Sequence, residues 1–383
     1  MARRRVRQTA EIRLDQEQTQ IVTTARALEI VMDERVHCLE VIGGAEVGRR
    51  YMIGRAGATV GRAAPADIIL ADSEVSRMHC RLGMLGEELV VADLNSTNGV
   101  FVDGERIGEP AVLPVGAVLQ VGRQSLKHEW RTRREILQSD QLDRDLEKAG
   151  SYVMALLPAP LKDGPIRAEW TFLPSAQLGG DAFGYGALSE TLFAVYLMDV
   201  SGHGAGPAMH SVAVMNLLRQ RALPDTDMSR PAEVLTTLNA MFPMESHADM
   251  YFTLWYGVFD AASRRLEFAS AGHHPAFLAP ADRSALIPLR TKNPMIGGIA
   301  GRVFTADAVE APPGSALYLF SDGVFEIVTM AGLQWGLQDF LPLILKPPAP
   351  GVSECERLRQ EVARAARPGG LDDDFSLLVL TFD

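Results

Sequence analysis

From about residue 36 to residue 128 the chain is cut into short apolar runs, HCLEVI, RRYMIG, ATVGR, HCRLGML, ELVVADL, GVFV and AVLQVG, with Gly, Asn and Asp between them. Short runs at so regular a spacing predict an all-β sandwich. Ahead of them, residues 9 to 34 have helix-forming composition without a breaker. After them the pattern changes: EWRTRREILQSDQLDRDLEKAGSYVMALLP is charged and free of proline until Pro158. It sets Ile136, Leu142, Leu146, Ala149, Val153 and Leu156 at steps of mostly three or four, which predicts a helix with one apolar stripe. Such a stripe suits a helix packed on its own domain, or a connector that pairs with a second copy of the chain; both readings stay open.

Beyond residue 165 two kinds of pattern mix. TLFAVYLMDV, YFTLWYGVFD, RRLEFASAG, SALYLFSDG and FSLLVLTFD read as strands; GPAMHSVAVMNLLRQRAL and PAEVLTTLNAMF read as helices, the second with Ser229 as N-cap and Pro231 in its first turn. Runs of strands with pairs of helices favour an α+β sandwich of antiparallel sheets. The expected organisation is an N-terminal extension (1–35), a β-sandwich domain (36–130), a helical linker (131–158) and an α+β domain (159–383).

Composition narrows the function. A chain of 383 residues exceeds what one core usually supports. Its net charge of −11 argues against a nucleic-acid binder, despite four arginines in MARRRVR. Three scattered cysteines, Cys38, Cys80 and Cys355, fit neither a disulfide framework nor a zinc cluster, so a reducing, cytoplasmic setting is expected. No apolar run reaches the length of a membrane-spanning helix.

Carboxylates recur at strand ends. Asp181 follows two glycines in LGGDAFG, Asp199 ends an apolar run, Asp322 follows LYLFS, and Asp372, Asp373 and Asp374 open the last strand. Two of these strands end at their aspartate and one begins there, so antiparallel neighbours would gather the groups at one edge. Clustered carboxylates repel and raise one another's pKa unless a cation neutralises them. Oxygen-preferring Mg²⁺ or Mn²⁺ are the natural partners.

The motifs PSAQLGGD, MDVSGHG, SAGHHPAFL, LFSDGVFE and DDDFSLLVL occur in order, and residues 150–383 resemble the stage-II-sporulation-E type of metal-dependent PP2C serine/threonine phosphatases. The resemblance implies a β-sandwich flanked by helices that holds two Mn²⁺ or Mg²⁺ ions. By the same resemblance Asp199 bridges the ions, with Asp181 and the main-chain carbonyl of Val200 on the second; Asp322 and Asp373, rather than Asp374, hold the first. A water shared by two such ions loses its proton near neutral pH and attacks phosphorus in line with the leaving oxygen. Gly184 stands where members of that group often carry a further acid, which implies weaker support for the second ion. No general acid is identifiable; His203, His273 and His274 read as packing or surface histidines.

In the first domain Arg62 follows a glycine at a strand end, Ser76, Arg77 and His79 form S-R-x-H, and Ser96, Thr97, Asn98 and Gly99 form S-T-N-G. A guanidinium, a hydroxyl and turn amides can hold a phosphate without hydrolysing it. These motifs resemble a forkhead-associated (FHA) domain, an eleven-stranded sandwich that binds phosphothreonine peptides. The resemblance implies that Arg62 and Ser76 contact the phosphate, that Arg77 and Thr97 assist, and that Asn98 holds the peptide main chain, with Gly61 and His79 in structural positions.

Together these features imply a multi-domain cytoplasmic protein phosphatase: an N-terminal FHA sandwich that binds a phosphothreonine protein, a helical linker, and a C-terminal PP2C-like hydrolase for phosphoserine and phosphothreonine. Its substrate would be a kinase target or, by family analogy, an anti-sigma antagonist. The linker is expected to mediate a homodimer, and the rival expectation is a catalytically weak scaffold whose output is phosphopeptide binding. A further one is autoinhibition, in which the FHA domain binds a phosphothreonine of this chain, with Thr23, Thr24 and Thr132 among the candidates.

Overall fold

The computed structural model describes residues 31–44, 46–202, 204–347, 351–367 and 371–383. The expected N-terminal helix therefore lies outside the described residues apart from 31–33, which are helical, and so does His203. The chain divides into two compact units, Met1–Arg144 and Asp145–Asp383.

The first unit contains strands β1 (Arg35–Gly43), β2 (Arg50–Ile53), β3 (Ala58–Gly61), β4 (Ile68–Ile69), β5 (Cys80–Leu85), β6 (Glu88–Asp93), β7 (Val100–Val102), β8 (Glu105–Arg106), β9 (Ala111–Val112), β10 (Val118–Val121) and β11 (Gln124–Thr132). They form a six-stranded sheet in the order β2-β1-β11-β10-β7-β8 and a five-stranded sheet in the order β4-β3-β5-β6-β9. One face of each sheet supplies a shared core, with Leu39, Val41, Leu119 and Leu126 from one and Val60, Leu82 and Val91 from the other.

Helix α1 (Arg133–Leu156) follows β11 directly. Thr132 and Glu135 start it: each main-chain N–H donates to the other's side chain, at 2.8 and 3.2 Å, a capping box that satisfies two otherwise orphaned donors. Within the first unit, Ile136 packs against Val36 and Cys38, and Arg50 donates to Glu40, Asp140 and Asp143 at 2.9, 3.3 and 2.6 Å. Of the apolar stripe only Ile136 is buried; Leu142 is 59% exposed and Ala149 is exposed. The last turn belongs to the second unit, where Leu156 and Leu157 pack on a core cluster.

The second unit contains β12 (Ile166–Leu173), β13 (Ala182–Ala187), β14 (Leu192–Val200), α2 (Ala205–Gln220), α3 (Pro231–Met241), β15 (Phe252–Asp260), β16 (Arg265–Ala271), β17 (Ala276–Ala279), β18 (Ile287–Leu289), β19 (Asp307–Glu310), β20 (Ser315–Phe320), α4 (Leu337–Leu345), α5 (Glu354–Ala365) and β21 (Phe375–Phe382). Two antiparallel five-stranded sheets, β13-β14-β15-β16-β19 and β12-β21-β20-β17-β18, lie face to face. Phe183, Leu197, Trp255, Leu319, Leu378 and Leu380 fill the space between them. The outer face of the first sheet packs on α2 and α3 through Tyr196, Met198, Val214 and Leu235. That of the second packs on α4 and α5 through Tyr318, Phe320, Phe340 and Leu358.

A strand covered on both faces has no polar side, which is why LFAVYLM is apolar without alternation. The expected cap of α3 differs: Arg230 is the N-cap without a side-chain bond, because the Ser229 hydroxyl donates to Asp227 at 2.7 Å instead. Pro231 occupies the first turn as expected.

Candidate metal centre and phosphate-binding loops

The two-residue period of a strand assigns each acidic side chain to a face. On β14, Phe193, Val195 and Leu197 point between the sheets; Asp199 shares their parity and ends that row. Ala182 pairs with Met198, and Phe183 with Leu197, so Asp181 lies beside Asp199 at the same end. From the other sheet, Leu378 and Leu380 point inward, which turns Ser376 and Asp374 inward and leaves Asp373 exposed. Phe320 pairs with Leu377, so Asp322, just past β20, arrives beside Asp373. The four expected acids thus meet at one edge of the sandwich, in line with the antiparallel argument from sequence.

Their electrostatics show crowding. Burial, then the Asp199 charge, pushes the Asp181 carboxyl well above the usual range, and the Ser376 hydroxyl opposes this by donating to it at 2.6 Å. Asp199 is pushed up to about 7 by burial, then by Asp322, Asp373 and Asp374. Asp322 is pushed up to about 6 by burial, then by Asp373 and Glu326.

Among the described residues no three His, Cys, Asp or Glu side chains close into a cage for one ion. Carboxylates near enough to perturb one another, yet not closed into a cage, suit a hydrated hard cation, because Mg²⁺ is held through one or two carboxylates and keeps several waters. The donor set is all oxygen, and the charge left uncompensated is negative. It therefore fits Mg²⁺ or Mn²⁺.

Asp374 has a different task. Its carboxylate accepts from Ser175 N–H and Oγ–H at 2.7 and 2.9 Å, and from Gly180 N–H and Asp181 N–H at 2.7 and 3.4 Å. It thereby ties the start of β21 to the loop that carries Asp181. Ser321 completes the tie by donating to the Asp374 carbonyl at 2.8 Å and accepting from Ser376 N–H at 3.0 Å.

Glycine is required where the loops close in: a Cβ on Gly180 would lie 2.7 Å from the Val200 carbonyl oxygen, and one on Gly179 would collide with the Asp374 carboxylate. Ser321, Ser376 and the anchoring role of Asp374 escape motif reading. Counting back by twos from Leu378 finds Ser376 on β21 and Asp374 just before it. Gly184 sits on β13 opposite Tyr196, where a Cβ would collide with the tyrosine Oη; its place is at the helix-covered face rather than the acidic edge.

In the first unit the two signature turns are locked together. Ser76 N–H donates to His79 Nδ1 at 3.0 Å. The ring's Nε2 therefore carries the proton and donates to the Gly99 carbonyl at 3.0 Å. Thr97 N–H donates to Ser76 Oγ at 3.1 Å, and Asn98 donates to the Glu74 carbonyl at 2.7 Å. Ser76, Thr97 and Asn98 are brought together here, and Arg62 joins them through its main chain, since its N–H donates to the Ser76 carbonyl at 2.9 Å. Arg62 and Arg77 are exposed. The loops present cations, hydroxyls and an amide on a rigid base.

The Stage II sporulation protein E (SpoIIE) family model matches residues 189–383, just over half of the chain. The chain belongs to the SpoIIE family. Asp199, Asp322 and Asp373 lie inside the SpoIIE match and Asp181 lies just before it. The FHA domain model matches residues 58–122, which hold all five expected phosphopeptide residues.

Beside the SpoIIE and FHA matches, the chain is 26% identical over 187 residues to the phosphoserine phosphatase RsbP of Bacillus subtilis, which covers 48% of the chain and 45% of RsbP. It is 35% identical over 85 residues to the FHA domain-containing protein FhaB of Mycolicibacterium smegmatis, which covers 22% of the chain and 55% of FhaB. The chain thus spans about half the length of these relatives. The SpoIIE-type unit also shares its fold with the SiaA-PP2C domain of Pseudomonas aeruginosa, at a TM-score of 0.55 and 20% identity, over 64% of the chain and 99% of that structure.

Proposed function

We propose that the second unit is a metal-dependent phosphatase for phosphoserine and phosphothreonine proteins, and that the FHA unit recruits or senses a phosphothreonine protein. The acidic edge carries this reading: it brings Asp181, Asp199, Asp322 and Asp373 together, and Asp199 and Asp322 are pushed up to about 7 and about 6 by burial and mutual repulsion. An enzyme that used the carboxylates alone would work against that repulsion.

In this reading Asp199, Asp181 and the Val200 carbonyl, with Asp322 and Asp373, would hold two Mn²⁺ or Mg²⁺ ions, Asp199 serving both, Asp181 and Val200 one and Asp322 and Asp373 the other. Bound there, the ions would offset the carboxylate charge and supply a water acidic enough to act as nucleophile near neutral pH. Ser376 orients the Asp181 carboxylate, and Asp374 holds the glycine loop beneath it.

On the FHA unit, Arg62 and Ser76 would take the phosphate, Arg77 and Thr97 would flank it, and Asn98 would exchange its Glu74 contact for the peptide main chain. The exposed middle of α1 supports a homodimer through the linker. Such a protein suits the reversal of a Ser/Thr kinase. The test is phosphate release from a phosphoserine protein and a phosphothreonine protein by the full chain, with Mn²⁺ and after chelation. Release that stops on chelation is expected; its absence under all metal conditions would leave the scaffold reading.

A further inference from the structure

We infer that the SpoIIE-type unit carries a second ligand site, on the helix-covered face of β13 rather than at the acidic edge, for a small amphipathic anion. A cavity of about 450 Å³ lies between β13, α2 and the last turn of α1. Sequence creates it: on its helix-facing side β13 offers Gly184 and Gly186; Tyr196 lies over Gly184 and donates to the Met215 carbonyl at 3.4 Å, whereas no side chain covers Gly186. Protein interiors normally pack without voids of this size, and ligand pockets span roughly 300–1,000 Å³.

The space is open rather than collapsed, since a Cβ built on Gly186 meets nothing within 4 Å. Its walls combine apolar and polar surface, with Leu156 and Leu218 beside Tyr185, Tyr196 and Tyr256, and Arg219 and Arg221 complete the lining.

Among the described residues both arginines donate to main-chain carbonyls alone. Arg219 bonds Leu156 at 3.3 Å, and Arg221 bonds Leu188 at 3.2 Å and Ala187. Among the described residues neither has a carboxylate ion-pair partner, so each keeps unused N–H donors and its full charge. A monocarboxylate with an aliphatic or aromatic body matches that arrangement: the head meets the guanidinium groups and the body fills the open space beside Gly186. Leu156 and Leu157 line the cavity, so an occupant would touch the end of the linker helix.

The experiment is calorimetric titration of the full chain with decanoate, and with decanol as the uncharged counterpart. One decanoate per chain is expected, with decanol weaker. Arg219→Gln should weaken decanoate about tenfold, the loss of one charge-assisted contact. Gly186→Leu should abolish binding while thermal melting and phosphate release stay as in the unaltered chain. The proposal is overturned if decanoate does not bind, if decanol binds equally well, or if Gly186→Leu binds decanoate unchanged. Should Gly186→Leu fail to fold, unchanged binding by Arg219→Gln overturns it in the same way.

Discussion

Asp373 and Asp374 are neighbours of the same type, yet strand parity gives them opposite roles, and two substitutions separate these. Asp374→Asn keeps the shape but replaces one acceptor oxygen with an NH₂ group that faces either Gly180 N–H or the Ser175 donors, both now held at 2.7 Å. A hydrogen bond to a charged group contributes about 1.5–3 kcal/mol, and an unsatisfied buried donor adds to the loss. The expected destabilisation is about 3 kcal/mol, or roughly 6–12 °C for a unit of this size.

Asp373→Asn should leave the melting temperature unchanged or raise it, because Asp373 is exposed and adds to the repulsion on Asp199 and Asp322. It should instead lose the rise in melting temperature that Mn²⁺ is expected to give the unaltered protein. Scanning calorimetry in chelator and in Mn²⁺, following the transition of the second unit, reads both quantities. If Asp374→Asn melted with the unaltered chain, or if Asp373→Asn were the one to collapse while Asp374→Asn kept its fold, the assignment of ligand and anchor would be wrong.

Arg62→Ala should weaken binding of a phosphothreonine peptide by about 10- to 150-fold, the loss of one charge-assisted bond, as read by fluorescence anisotropy, with p-nitrophenyl phosphate turnover unchanged. Burial holds the His274 imidazole neutral and pushes its pKa down to about 4, against about 6.5 in the unfolded chain. The folded protein therefore binds fewer protons in that window; this contribution is complete above about pH 6.5 and is lost as pH falls towards 4, by about 3 kcal/mol. His274→Gln should flatten the loss of melting temperature between pH 7 and pH 4.5 in chelator, and an equally steep loss would count against it. Leu146→Asp on the exposed stretch of α1 should convert a dimer to a monomer by light scattering, and an unchanged mass would remove the linker from the interface.

Much of this architecture is legible because its elements advertise themselves. The FHA turns need Gly61, His79 and Gly99 in order to close, so S-R-x-H and S-T-N-G survive as readable strings. Asp181, Asp199 and Asp322 stand out because each interrupts an apolar or glycine-rich approach. What motif reading does not supply is which face a residue takes: the resemblance singles out Asp373 as a ligand, but the burial of Asp374 and its anchoring role follow only from the inward row of Leu378 and Leu380. Ser321 and Ser376 carry no signal for a related reason: Ser321, just past β20, is read only once its partners on the neighbouring β21 are known, and Ser376 only once Asp181 is placed across the two sheets. Ser229 misled because Asp227, two residues earlier, competes for its hydroxyl. The cavity beside Gly186 arises from side chains that are missing, and a missing side chain leaves no motif.

The central claim is that Asp199 makes the acidic edge a metal-dependent hydrolytic site. The direct measurement is Mn²⁺-dependent phosphate release from a phosphothreonine protein by the full chain and by Asp199→Asn, with phosphothreonine-peptide binding measured on the same samples. The account predicts release by the unaltered chain, loss of release in the variant and equal peptide binding by both; undiminished release by Asp199→Asn would contradict it.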